Sequence, residues 1–385
     1  MNNLSVYLPP FSGDYSGACS ALYDINCLIV LCDASCCTKN YINYEEPRWS
    51  PEKRTTMCAQ LRTLQIIMGD DSRIIRQAAE AAKNSGAELI ALLGSPVPAI
   101  TGMDMKGMAC EVEKTCGIPA VGLNTTGFSD YCNGIEQAQI ALFERFVPAA
   151  ARKIKNGINI LGATPIDLGN TGNEKKIEQA FEKAGYNIIY NYSFGCSLDD
   201  VKRSAAAELN AVVTASGIAL AKKMREEAGI PYIAGVPIGR CGAREMLSSD
   251  TGTEACPEEN GKRLLIVGDQ VISASIRKAL KKEGFSGAID AASFFKMYPE
   301  LMAGRDKKLS GEKSLIELIK SGDYDTVIGD PLLKRIPQMS DVKFYELPHP
   351  AVSGPFGWDA VPGFTSEKIE ALIEQICKEL KWQEN

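Results

Sequence analysis

The chain predicts an α/β fold of three Rossmann-like domains, each a parallel sheet flanked by helices. Two observations lead there. Short apolar runs rich in Val, Ile and Leu alternate with amphipathic stretches of helical period, which is the order of βα units rather than of hairpins or bundles. The 385 residues also exceed what one compact core supports, and domain-size statistics favour units of roughly 100–150 residues.

Parallel strands buried on both faces read as continuous apolar runs, and such runs fall at 27–31, 88–93, 119–123, 158–161, 187–190, 211–215, 232–235, 263–267, 325–328 and 343–347. Between them lie helical patterns at 71–85, 135–147, 175–184, 216–227, 273–284 and 366–380, mostly closed by Gly or a polar turn. These group into expected domains at 1–150, 151–260 and 261–385. The polar stretch 248–261 (SSDTGTEACPEENG) reads as a surface linker before the last unit. Where the strand carboxyl ends of three such layers converge, a crevice is expected, the usual ligand position of open α/β sheets.

Composition excludes several partners. The net charge of −6, a pI near 5.2 and the absence of any basic run interleaved with aromatics speak against nucleic acid. No apolar stretch approaches the roughly 20 residues needed to cross a bilayer, and the amino terminus MNNLSVYLPPFSGDY lacks the basic-then-apolar pattern of a signal peptide. A cytoplasmic protein without a membrane partner is expected. In that compartment thiols stay reduced, so the thirteen cysteines read as buried small hydrophobes, metal ligands or redox groups, not as a disulfide framework.

Six of those cysteines fall within the first 58 residues, whereas the whole chain holds one histidine, His349. Thiolates without imidazoles suit iron–sulfur chemistry better than zinc or copper. No G-x-x-x-x-G-K-[ST] run is present, so ATP hydrolysis has no seat, and no G-x-G-x-x-G follows a strand, so NAD has none. Cys36 and Cys37 are adjacent just past a strand end, where packing alone does not require two thiols, and with Cys19 they are the candidate metal ligands. Cys27, on an apolar strand, and Cys58, in an expected helical stretch, read as packing residues. Cys196 in YSFGCSLDD and Cys241 in PIGRCGAREML follow strands at the crevice side. Arg240 and Arg244 flank the latter and suit carboxylates or phosphates of a bound cofactor. His349, between two prolines after the strand at 343–347, is the candidate catalytic residue, a proton carrier or a ligand; a solvated loop histidine is the plainer alternative. The acidic pairs Asp70-Asp71 and Asp199-Asp200 stand where helices begin and read as caps.

The passage 88–131 (ELIALLGSPVPAITGMDMKGMACEVEKTCGIPAVGLNTTGFSDY), the stretch ELNAVVTASGIALAKKMREEAGIPYIAG within 157–235, and the closing PHPAVSGPFGWDAVPGF resemble the component 1 family of nitrogenases. That family includes the α and β chains of the molybdenum–iron protein, protochlorophyllide reductase subunits and the reductase of coenzyme F430 synthesis. The resemblance implies three Rossmann-like domains, a homodimer or a heteromer with another component 1-like subunit, and an iron–sulfur cluster at the subunit interface. It also implies electrons delivered by a separate ATP-hydrolysing iron protein, which fits the missing P-loop. Of the three cluster-ligand places of the nitrogenases, the first falls near Gly13, with Cys19 just after the Gly17-Ala18 pair. The second is kept by Cys37 and the third falls at Pro96. The expectation is therefore a simpler [4Fe–4S] centre rather than an eight-iron cluster, with two thiolates from each of two subunits, for example Cys19 and Cys37 with their mates, or with the missing ones from a heteromeric partner. The family's molybdenum-ligating histidine, before a Ser-Gly-Pro turn, corresponds to His349 before Ser353-Gly354-Pro355. The cofactor's cysteine corresponds to Val213-Thr214, without a thiol.

The expected function is a nitrogenase-like reductase component, relaying low-potential electrons through that cluster to a small molecule or tetrapyrrole-like cofactor in the crevice. A second metallocofactor is compatible with the same place. The alternatives are a non-catalytic scaffold for metallocofactor assembly and an iron-free small-molecule binding module.

Overall fold

The computed structural model describes residues 5–48, 56–148, 151–169, 172–192, 194–239, 242–248 and 261–381. The first sheet is built from β1 (Cys27–Leu31), β2 (Thr56–Cys58), β3 (Leu89–Leu93) and β4 (Ala120–Leu123), in the order β2-β1-β3-β4. The second holds β5 (Gly157–Leu161), β6 (Asn187–Asn191), β7 (Leu209–Val212) and β8 (Tyr232–Ala234), ordered β6-β5-β7-β8. The third holds β9 (Arg263–Val267), β10 (Ala288–Ser293), β11 (Lys307–Lys308), β12 (Thr326–Gly329) and β13 (Lys343–Glu346), ordered β11-β10-β9-β12-β13. Every pairing is parallel. Helices carry the crossovers, as parallel pairing requires, and the α/β fold class read from the sequence is the observed one.

The central strands β1, β3 and β5 are buried along their whole length, which is why their apolar runs were conspicuous. The strands that the sequence did not announce are those without that signature. β10 reads AIDAAS, β11 is two lysines at a sheet edge, and β2 is three residues long. Cys58, expected in a helical stretch, is the last residue of β2, paired with Leu31. The linker reading of 248–261 falls mostly on residues 249–260, outside the described residues.

The apolar core is continuous across the sheets. One cluster joins helix Asp14–Leu22 and helix Tyr131–Phe146 to residues of the second sheet and to Val271, Phe295 and Val352 of the third; another joins β5 and β7 to β9 and the carboxyl-terminal helix Glu367–Lys381. Helices 14–22 and 131–146 cross at backbone contact. A Cβ at Gly17 would collide with the carbonyl of Tyr131, and one at Gly134 with the carbonyl of Asp14, so glycine is required at both. That crossing sets where Tyr131 stands.

The acidic pairs act as the sequence suggested. Asp200 completes a capping box with Ser197, and Asp70 accepts from the amide of Ser72 at 3.1 Å.

Candidate functional site

In each sheet the chain runs outward on one side of its first strand and returns on the other, so the carboxyl ends of two neighbouring strands send their loops apart and leave a crevice. These switch points lie between β1 and β3, between β5 and β7, and between β9 and β12.

At the first, the loop after β1 carries Asp33, Cys36 and Cys37. The Asp33 carboxylate is buried and accepts from the Thr38 amide (3.0 Å), the Thr38 hydroxyl (2.9 Å) and the Cys58 thiol (2.8 Å). Ser35 turns the chain with φ of 116°, a strained value for a residue with a side chain, and delivers Cys36 and Cys37 into the short helix Cys36–Asn40. Cys36 is exposed and Cys37 half-buried. Burial first, and then the Asp33 charge, push the Cys37 thiol up to about 11, while a hydrogen bond from Tyr15 opposes them. Gly13, Pro96 and Tyr15 are near neighbours at this end of the sheet. A Cβ on Gly13 would lie 3.4 Å from the Tyr15 ring; one on Gly127 would lie 2.8 Å from the Pro96 ring and 3.5 Å from Tyr15. Tyr15, which contacts this group, also hydrogen-bonds to the Cys37 thiol.

Cys19 is elsewhere. It lies on helix 14–22 with no exposed surface, inside the apolar core, and burial drives its thiol well above the ordinary range. A side chain so enclosed cannot reach a neighbouring protomer. At the same end of the sheet as Cys36, apolar residues are left open to solvent: Leu64 and Ile67 after β2, Ile100 after β3 and Phe128 after β4.

The other two switch points face each other, and between them stands His349. It follows β13, caps helix Pro350–Ser353, and is 6% exposed. Its backbone N–H donates to Asp330, beyond β12, at 2.8 Å. Its Nε2 lies 3.3 Å from the Tyr131 hydroxyl and 3.4 Å from Asp167 Oδ1. Tyr131 donates a short hydrogen bond to the same Oδ1, and the Thr164 hydroxyl donates to Oδ2 at 3.0 Å. Phe295 packs edge-on to both rings, with centroids 4.9 Å from each. The other imidazole nitrogen, Nδ1, is buried with no hydrogen-bond partner. Asp269, after β9, caps helix Gln270–Lys282 and accepts from the Ala215 amide across the sheets at 2.8 Å. Burial, and secondly the nearby Asp167, push its carboxyl up to about 6. Burial and Asp167 likewise raise the Tyr131 phenol well above its usual value. The junction therefore draws one group from each sheet's layer: Tyr131, Asp167 and His349.

Two of the remaining sequence candidates, Cys196 and Arg244, are placed away from both. Cys196 is buried beside Tyr190 and Tyr192. Arg244 is exposed on the short helix Gly242–Ser248. Arg240 and Cys241 lie outside the described residues. Among the described residues no three His, Cys, Asp or Glu side chains of one chain gather closely enough to hold a metal ion. Sequence reasoning passed over Tyr15, Tyr131, Asp167 and Asp269. Their one available signal was position, since Asp167 and Asp269 follow strands at switch points, and only the strand order identifies those.

Residues 14–249, more than half of the chain, match the family described as nitrogenase component 1 type oxidoreductase. Over 198 residues the chain is 24% identical to the nitrogenase molybdenum-iron protein alpha chain of Methanosarcina barkeri, covering 50% of this chain and 36% of that one. It is 24% identical over 182 residues to the nitrogenase iron-molybdenum cofactor biosynthesis protein NifE of Clostridium pasteurianum (47% and 39% covered), and 28% over 204 residues to that of Sinorhizobium fredii (50% and 39%). The matched stretch thus spans little more than a third of these relatives. The structure described as Nitrogenase Cp1 at pH 5 superposes with a TM-score of 0.67 at 16% identity, covering 99% of this chain and 90% of that one, which is a likeness of fold. With the family matched across both halves of the first switch point and into the second sheet, the chain belongs to the nitrogenase component 1 type oxidoreductases.

Proposed function

We propose that the protein is the reductase component of a two-part system, receiving low-potential electrons from an ATP-hydrolysing iron protein and delivering them to a small molecule or tetrapyrrole-like cofactor at the three-sheet junction. The observation that carries this reading is the first switch point, where Tyr15 links Gly13 to the Cys37 thiol, Cys36 is exposed beside it in sequence, and the same end of the sheet exposes several apolar side chains.

One chain supplies half of a four-thiolate set, and two chains paired about a two-fold axis through that edge supply the rest. In this reading Cys36 and Cys37, not Cys19, hold a [4Fe–4S] cluster between protomers; a heteromeric partner with its own thiols is the other arrangement. When bound, such a cluster supplies a one-electron relay. The chain's part is to hold it: Asp33 anchors the loop through Thr38 and Cys58, and Ser35 turns both thiols to the edge. The Cys37 thiol, pushed up to about 11, is protonated when metal-free, so metal uptake releases protons and weakens in acid. At the junction His349 carries protons to the reacting group, with Asp167 and Tyr131 accepting from its Nε2. The domain assignment 1–150, 151–260 and 261–385 goes with this reading, one sheet to each.

Protein purified without oxygen is expected to be brown and to hold about two irons and two sulfides per chain. Colourless, iron-free protein overturns the proposal. The likeness to two cofactor biosynthesis proteins supports a second reading, a scaffold on which a metallocofactor is assembled. Steady substrate reduction with an iron protein and ATP excludes the scaffold; cluster transfer to another protein without turnover favours it.

A further inference from the structure

His349 is held at one nitrogen by two groups that accept hydrogen bonds and at the other by nothing. Asp167 Oδ1 lies 3.4 Å from Nε2, and a carboxylate has no proton to give. The Tyr131 hydroxyl, 3.3 Å from Nε2, has its single proton committed to Asp167, so it too presents a lone pair. Asp167 is itself fixed, because Thr164 donates to its other oxygen at 3.0 Å. Both neighbours of Nε2 thus require an N–H there. A neutral imidazole carries one such proton, which leaves Nδ1 bare, and that atom is buried without a partner. An unpartnered acceptor in a buried place is destabilising unless a donor meets it.

We propose that Tyr131 and Asp167 are positioning residues that lock His349 as the Nε2–H tautomer and keep Nδ1 free to accept from a donor in the junction, either water or an N–H or O–H group of a bound small molecule. The lock stands on hydrogen bonding alone; the use of Nδ1 in a reaction rests on the function proposed above. Neither partner touches the reacting group, so each acts through the imidazole. They arrive from different sheets, Tyr131 by the glycine-lined helix crossing and Asp167 by the helix Pro165–Leu168, so the tautomer also reports that the three layers are assembled.

The single histidine makes the test direct. In the full-length chain labelled with 15N-histidine, an imidazole spectrum at mildly alkaline pH holds one pair of nitrogen resonances, expected to show a bare Nδ1 and a protonated Nε2. Asp167→Asn and Tyr131→Phe are each expected to move the tautomer ratio about tenfold or more toward Nδ1–H. Tyr131→Phe keeps the ring packed on Phe295 and decides the matter should Asp167→Asn fail to fold, folding being read by circular dichroism and thermal unfolding. A wild-type spectrum dominated by Nδ1–H, or ratios unchanged in folded variants, overturns the lock. Iron and sulfide content, measured on the same samples, is expected to stay at the wild-type level. Loss of the cluster reading therefore leaves this result standing, and the reverse.

Discussion

The thiol edge of the first sheet and the junction at His349 are both switch points, yet one lies open and the other is sealed. At the edge, Cys36 faces solvent at the end of the sheet that also exposes Leu64, Ile67, Ile100 and Phe128, and among the described residues no group of three metal-ligating side chains gathers there. At the junction, Tyr131, Asp167 and His349 arrive from three layers, bury one another and satisfy every polar atom but Nδ1. The difference is one of supply. Under the function proposed, a site that one chain does not finish stays at the surface for a partner, whereas the junction built by three layers of one chain is enclosed by folding itself.

Substitutions at the edge are expected to have the largest effect. Cys37→Ser removes the thiol that is hydrogen-bonded to Tyr15, and anaerobic iron analysis is expected to show nearly complete loss of metal, with Cys36→Ser close behind. Cys19→Ala, in the core, is expected to keep its iron while losing about 1 kcal/mol of stability. Iron lost equally from all three variants would erase the distinction between surface and core thiols.

Gly134→Ala comes next. Its Cβ has nowhere to go against the Asp14 carbonyl, so helices 14–22 and 131–146 must part, at a cost of about 3 kcal/mol or more in a denaturant titration. This crossing serves both regions. The Asp14 carboxylate takes the amides of Thr126 (2.8 Å) and Gly127 (2.6 Å) at the edge, and Tyr131 stands in the junction. The variant is expected to disturb the thiol loop and the imidazole spectrum together; an effect on one alone would show the two places to be mechanically separate.

What was legible in the sequence follows the same division. The strands β1, β3, β5 and β9 were readable because both faces are buried and largely apolar, and the position of Cys36 and Cys37 just past a strand end was readable with them. β10 was not, since its AIDAAS gains its place from its neighbours rather than from its own hydrophobicity. The burial of Cys19 was not legible either, because a helix near a cysteine-rich loop presents the same letters whether its thiol points inward or outward. Asp167 and Asp269 carry no motif at all. Their chemistry comes from strand order and from the meeting of layers that lie far apart in the chain, and a linear reading has no access to that.

Asp269 distinguishes a sealed junction from a wet one. Its carboxyl is pushed up to about 6 by burial, against an ordinary value near 4, so the folded state binds its proton more tightly than the unfolded chain does. That contribution is present below about pH 4 and is lost as pH rises to about 6, a loss of about 3 kcal/mol that then levels off. Asp269→Asn keeps an oxygen to cap the helix at Val271 and Ile272 while removing the titration. Stability measured from pH 4 to pH 7 is expected to fall less steeply in the variant than in the parent. Equal slopes would mean that solvent reaches the junction.

A more local effect is expected at the amino-terminal arm, which ties the first layer to the third and reaches the junction only through Phe295. The Glu312 carboxylate accepts from three successive amides, Val6 (3.1 Å), Tyr7 (2.8 Å) and Leu8 (2.9 Å), and Leu8 is buried in the third sheet's own core. From there the arm passes Phe11 against Phe294 and Phe295, the latter packed on His349, and Ser12 donates to the Ala351 carbonyl at 3.0 Å. Glu312→Gln keeps one oxygen and gives up the charge, so charge-assisted bonds become ordinary ones, at a cost of about 1–2 kcal/mol. Hydrogen exchange is expected to quicken at amides 6–8, while iron content and the His349 tautomer stay unchanged, because Leu8 and Phe11 keep the arm seated by apolar contact. A change in the tautomer would extend the junction outward to the arm, making the enclosure of His349 depend on a strap as well as on three packed layers.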